Sequence, residues 1–159
     1  MLPENSILKI YKYEKAYITA PLSRDHHGAL ILARLLQKNA PAFKSLPLDI
    51  DGKASYAIKF FNKELINHFE DEEKIMALIT GYNEKLDQKI QTIIREHREL
   101  RSLFQSINGH SNLTELLDSI GKELEIHIRK EERELFPMIQ ELCTVAQLKT
   151  IEASLLSKS

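Results

Sequence analysis

The chain has 159 residues, 43 % of them apolar and 28 % charged, with a formal charge of −1 and a pI near 6.6. That length suffices for one domain with a real core, and the charge balance offers no basic footprint for nucleic acid or anionic lipid. No apolar run approaches a membrane span, no signal-peptide core opens the chain, and Cys143 is the single cysteine. An internal disulfide and a thiolate metal cage are therefore excluded, and a reducing, cytoplasmic setting is the expectation.

Residues 1–19 read as short extended pieces, such as Ile7–Tyr11, or as an ordered arm lying on the helical part of the chain. Ala20-Pro21-Leu22-Ser23 predicts a helix start, with Ser23 as the cap ahead of Asp25 and the helix running to about Lys38. Its inward positions are Leu22, His26, Ala29, Leu30, Ala33 and Leu36. From Asn39 to Lys53 two prolines and an Asp-Gly predict a connection whose Phe43, Leu46, Leu48 and Ile50 pack across a bundle end. A second helix is predicted over Ala54–Thr80, stopped by Gly81 in a left-handed cap. Its inward series is Phe61, Leu65, His68, Glu72, Met76 and Ile79.

Asn83 caps the third helix, whose stripe of Leu86, Ile90, Ile93, His97, Leu100, Phe104 and Ile107 is the most regular here. After a turn at Asn108-Gly109-His110-Ser111, Asn112 and Glu115 resemble a capping box opening the fourth helix. Its inward series is Leu113, Leu117, Ile120, Leu124, His127, Glu131 and Leu135, and Pro137 predicts a kink or stop. A short amphipathic helix comes next, at about Val145–Leu156. Long helices with short connections predict an all-α, up-down-up-down four-helix bundle over residues 20–142, with an arm at 1–19 and a C-terminal helix within 143–159.

Each inward stripe thus carries one histidine, His26, His68, His97 or His127, where a leucine is expected. Two stripes add a carboxylate one turn later, Glu72 and Glu131. A single histidine on an apolar face is ordinarily a satisfied core residue. Four in register, with two carboxylates, are not explained that way. Helix mid-faces offer no spare backbone donors, and a buried unpaired carboxylate costs several kcal/mol or changes protonation. A metal consumes imidazole lone pairs and carboxylate charge together. Six nitrogen and oxygen donors are too many for a tetrahedral structural zinc; they suit two carboxylate-bridged, octahedral-preferring ions or one crowded ion.

The stretches Asp25-His26-His27, His68-Phe69-Glu70-Asp71-Glu72-Glu73, Glu96-His97-Arg98-Glu99-Leu100 and His127-Ile128-Arg129-Lys130-Glu131-Glu132, running on to Pro137, resemble the hemerythrin-like, HHE cation-binding family. The resemblance covers about Leu22–Leu142 and implies a bundle holding two iron ions. In that reading His26, His68, His97 and His127 fall on histidine ligands, and Glu72 and Glu131 on bridging carboxylates. Zinc and manganese stay open as alternatives to iron. The resemblance also implies O₂ or NO binding or sensing, iron handling, or, as an enzymatic alternative, action on O₂, peroxide or NO, or iron–sulfur cluster repair. Oxygen-carrying members have a further histidine one turn after His97, where this chain has Arg101, so an open-site role is expected over reversible storage. His27 is ranked a reserve ligand and Glu132 the alternative to Glu131. Glu73 is expected in solvent, and so is Glu132 unless a helix distortion turns it inward. Glu64 and Glu123 are read as surface charge or imidazole orienters.

Overall fold

The computed structural model describes residues 18–157, so most of the expected N-terminal arm lies outside the described residues. In chain order the elements are α1 (Ala20–Leu36), α2 (Ile50–Phe60), a π turn (Phe61–Leu65), α3 (Ile66–Ile79), α4 (Glu84–Gln105), α5 (Leu113–Lys130), a second π turn (Glu131–Leu135), α6 (Phe136–Leu142) and α7 (Val145–Leu156). The joints keep right-handed helical dihedrals, as at Phe61 (φ −56°, ψ −50°) and Glu131 (φ −62°, ψ −48°). Hence α2, its π turn and α3 form one rod, and α5, its π turn and α6 form another. With α1 and α4 these make the four-helix bundle, and no strand occurs among the described residues.

The caps match the sequence closely for α4 and α5. Asn83 accepts from the Leu86 amide at 3.0 Å, and Asn112 from the Glu115 amide at 3.4 Å. Gly81 (φ +94°) supplies the left-handed turn between α3 and α4. Two starts differ from expectation. The first helix begins at Ala20, with Thr19 as cap residue and Pro21 in its first turn, so Ser23 is already helical. The second begins at Ile50, because Asp49 caps it through the Gly52 amide at 3.0 Å. A Cβ at Gly52 would lie 2.7 Å from the Asp49 carboxylate, so the Asp-Gly that reads as a loop signal belongs to the helix start. In the preceding connection Phe43, Leu46 and Ile50 are half-buried, but Leu48 is 72 % exposed and does not join the packing.

Pro137 does not stop the fourth rod. The π turn ends two residues before it, at Leu135, and the helix continues to Leu142. Widening the turn relieves the conflict between the proline ring and the carbonyl one turn back.

The apolar side chains form two separate clusters. One gathers Ala33, Phe61, Leu65, Leu100, Phe104, Leu117, Ile120 and Leu124; the other gathers Leu22, Ile75, Met76, Ile90, Ile93, Leu135 and Ile139, with Leu148 and Ile151 of α7. The C-terminal helix is therefore packed on the bundle. Along every rod the inward histidine falls where one cluster gives way to the other, so a polar layer crosses the middle of the core.

Candidate metal centre

The four rods bring all six inward polar residues into that layer, and each is buried. His26, His68, Glu72 and Glu131 form one group; Glu72, His97, His127 and Glu131 form a second, with donor atoms in each within 4.8 Å of one another. Both groups share both carboxylates. Glu72 Oε1 lies 2.9 Å from His68 Nε2 and 3.5 Å from His97 Nε2, while its Oε2 lies 3.9 Å from His26 Nε2. Glu131 Oε1 lies 2.8 Å from His127 Nε2 and 3.5 Å from His26 Nε2.

Each imidazole is held from behind by an acid on the neighbouring rod. His26 Nδ1 donates to Glu132 at 2.6 Å, His68 Nδ1 to Asp25 at 3.0 Å, His97 Nδ1 to Glu73 at 3.2 Å, and His127 Nδ1 to Glu96 at 3.0 Å. A carboxylate only accepts, so Nδ1 carries a proton, and it is the Nε2 lone pair of the neutral imidazole that can face the centre. This is the arrangement that prepares a histidine to ligate. Phe136 stacks on His26 at 5.6 Å between ring centroids, and Phe69 on His97 at 4.3 Å, fixing both ring planes.

The donor set fits a cation. Six buried atoms (both oxygens of Glu72 and of Glu131, His97 Nε2 and His127 Nε2) make no hydrogen bond. Native interiors rarely leave such groups unsatisfied. His26 Nε2 faces His68 Nε2 at 3.0 Å, where two lone pairs repel unless a proton or a cation intervenes. Among the described residues, six carboxylates and two paired basic residues, Arg101 and Lys130, give the layer a net four negative charges with neutral imidazoles, a balance that favours cations.

With no cation bound, the layer draws protons instead. Burial pulls the His26 imidazole down, but Glu131 and Glu132 outweigh it and raise its pKa to about 9. In the same balance Glu72 and Asp25 raise His68 to about 10, Glu131 and Glu96 raise His127 to about 10, and His97 is raised by Glu72 and Glu73. Burial pushes the acids up, yet the histidines hold Glu72 well below its usual range. Glu73 and Glu96, each also bonded to a basic side chain, come down to about 2.

These shifts fix the pH dependence of metal-free stability. Histidines raised from 6.5 to about 9 or 10 stabilise fully below pH 6.5, and that contribution is lost as pH rises through 9 to 10. Carboxylates lowered from 4.5 to about 2 stabilise above pH 4.5, and that contribution is lost as pH falls toward 2. Chelator-treated protein should therefore unfold at its highest temperature between pH 4.5 and 6.5. A melting temperature that climbed steadily from pH 6 to 10 would contradict this proton-filled layer.

The remaining sequence candidates lie outside the central layer. His27 and His110 are exposed, so His27 is no reserve ligand. Glu64 and Glu123 are exposed and orient no imidazole. Glu73 and Glu132 are half-buried and bonded to His97 and His26, correcting the expectation of solvated acids. The π turn carries Glu132 toward α1 while Glu131 keeps the centre. Asp25 and Glu96 were missed as orienters. Their signal is adjacency: each precedes an inward histidine by one residue, about 100° round the helix, and so faces the next rod. Arg101 meets Glu73 through both terminal guanidinium nitrogens, at 2.8 and 3.0 Å, and lies over Phe69 at 5.4 Å.

Among the described residues no helix is long and apolar enough to cross a membrane. Comparison with curated proteins and with solved structures yields no match. The model of the hemerythrin HHE cation-binding domain, by contrast, matches residues 18–139, more than half of the chain. A bundle with buried histidine and glutamate groups able to hold metal agrees with that match. The chain belongs to the hemerythrin family, as a protein built on the HHE cation-binding domain.

Proposed function

We propose that this protein holds two iron ions between its rods, with His26 and His68 on one, His97 and His127 on the other, and Glu72 and Glu131 shared. We further propose that O₂ or NO binds there, making the protein a binder or sensor of the gas or a handler of iron. The observation that carries the reading is the sharing of both buried carboxylates by two four-residue groups. Iron in such a setting supplies redox chemistry and a Lewis-acidic position for a diatomic ligand.

The chain's own residues set the terms. Each group offers four donors, two nitrogens and two oxygens, fewer than the six an octahedral ion takes. The position one turn after His97 adds none, because Arg101 is committed to Glu73. The two flanking apolar clusters keep bulk water from the layer, which strengthens every charge interaction inside it. The outer acids keep a proton on each Nδ1, so the imidazoles meet the centre as neutral donors.

Elemental analysis of protein loaded anaerobically with ferrous ion, then desalted, should give about two iron atoms per chain. Mixing that protein with O₂ or NO should give a single stoichiometric adduct seen by absorbance. Continued consumption of O₂, peroxide or NO would favour the enzymatic reading instead. Retention of no iron would sink both.

A further inference from the structure

The two groups are alike in their inner atoms and unlike in what stands behind them. Behind His97, Glu73 is held by both terminal guanidinium nitrogens of Arg101, and behind His127, Glu96 is paired with Lys130. Behind His26 and His68 stand Glu132 and Asp25, and among the described residues no lysine or arginine forms an ion pair with either. Among the described residues, then, the outer acids of one half are neutralised and those of the other are not.

From this we infer that the two cation positions are unequal, and that the His26–His68 half takes the first divalent cation and the His97–His127 half the second. The inference rests on the two-cation reading above and adds an order of filling to it. Glu72 and Glu131 are common to both halves, so they cannot set the order. The outer layer does: among the described residues it places two formal negative charges behind one half and none behind the other.

Solvent reduces the difference without reversing it. The Glu132 and Asp25 side chains are 36 % and 54 % exposed, so their attraction for a cation is screened. Arg101 and Lys130 are only 25 % and 26 % exposed, so their repulsion of an incoming cation is screened less. Arg101 is also fixed in place: it lies over Phe69, whose ring stacks on His97. Both terms have the same sign. After discounting for exposure, a difference of roughly tenfold in affinity is the expected scale.

Two bound cations repel each other, so even a symmetric site fills in two steps. Which half fills first is the discriminating fact. Metal-free full-length protein would be titrated anaerobically with Co²⁺, monitored by visible absorbance and calorimetry. The unaltered protein should take two equivalents, the first roughly tenfold tighter. His127→Ala should keep the tight step and lose the weak one, and His68→Ala should lose the tight one.

Circular dichroism checks that these variants fold. Should one not, the outer residues carry the test: Arg101→Met and Lys130→Met should tighten the second step several-fold and leave the first in place, and Glu132→Gln should weaken the first. A tight step that survives in His68→Ala but not in His127→Ala overturns the order. So does a second step unmoved by Arg101→Met and Lys130→Met. Uptake of fewer than two equivalents by the unaltered protein overturns the two-cation reading, and the order with it; two equivalents filling in the wrong order overturn the inference alone.

Discussion

On the two-cation reading, Glu131→Gln should cost the protein both cations, whereas His127→Ala should cost it one. Glu131 belongs to both four-residue groups, and its Oε1 lies between His127 Nε2 at 2.8 Å and His26 Nε2 at 3.5 Å. Glutamine keeps the shape and removes the charge from both positions at once. Loss of a residue that merely orients a ligand already lowers metal affinity by about 10- to 100-fold, so loss of a shared anionic donor should exceed ~100-fold per position. Metal content after loading and desalting should fall from about two to near zero in Glu131→Gln, and to about one in His127→Ala. Glu72→Gln should behave like Glu131→Gln, because Glu72 too is common to both groups. If Glu131→Gln folded and retained both cations, the carboxylate would not be shared.

The second large effect is structural and reaches the same centre. Gly121→Val should destabilise the bundle by about 3 kcal/mol or more, because small-to-large changes in packed interiors cost about 1–3 kcal/mol and β-branching adds to that in a helix. A Cβ at Gly121 would lie 2.4 Å from the Ala33 carbonyl oxygen and 3.0 Å from Gln37 Cγ. Backbone cannot swing aside as a side-chain tip can, so α1 and α5 would have to separate. Gly121→Ala gains about 1 kcal/mol in helix propensity and should still end less stable by about 1–2 kcal/mol. Urea unfolding checks this as a lower midpoint at unchanged slope. Separating α1 from α5 also draws His26 away from Glu131, so metal uptake should weaken in parallel. A valine variant within about 0.5 kcal/mol of the parent would show that the close approach is not a constraint.

Six central side chains were legible because steps of three and four placed each polar residue in line with leucines and isoleucines of its own helix. His97 is the clearest case, flanked by Ile93 and Leu100 in an unbroken stripe. The four outer acids were less legible for a related reason. Periodicity ranks a residue by the axis of its own helix, and Glu73 or Glu132 judged that way faces solvent. Their partners lie on the next helix, a relation that single-helix patterning does not contain.

The π turns divide similarly. Pro137 announces a disturbance in the fourth rod, though as a widened turn and not as a stop. Nothing in Phe61-Asn62-Lys63-Glu64-Leu65 announces the other, since it has neither proline nor glycine. A glycine inside a helix, such as Gly121, is either a point of close approach or simply tolerated; the contact with the Ala33 carbonyl of α1 makes it the former.

The acids behind the imidazoles are passed round the bundle in one direction: α1 gives Asp25 to His68, the second rod gives Glu73 to His97, α4 gives Glu96 to His127, and the fourth rod returns Glu132 to His26. Every rod therefore lends one link and receives one. None can twist about its long axis without straining two such links, so a change of occupancy at the middle is felt by all four at once, with no single lever to carry it outward.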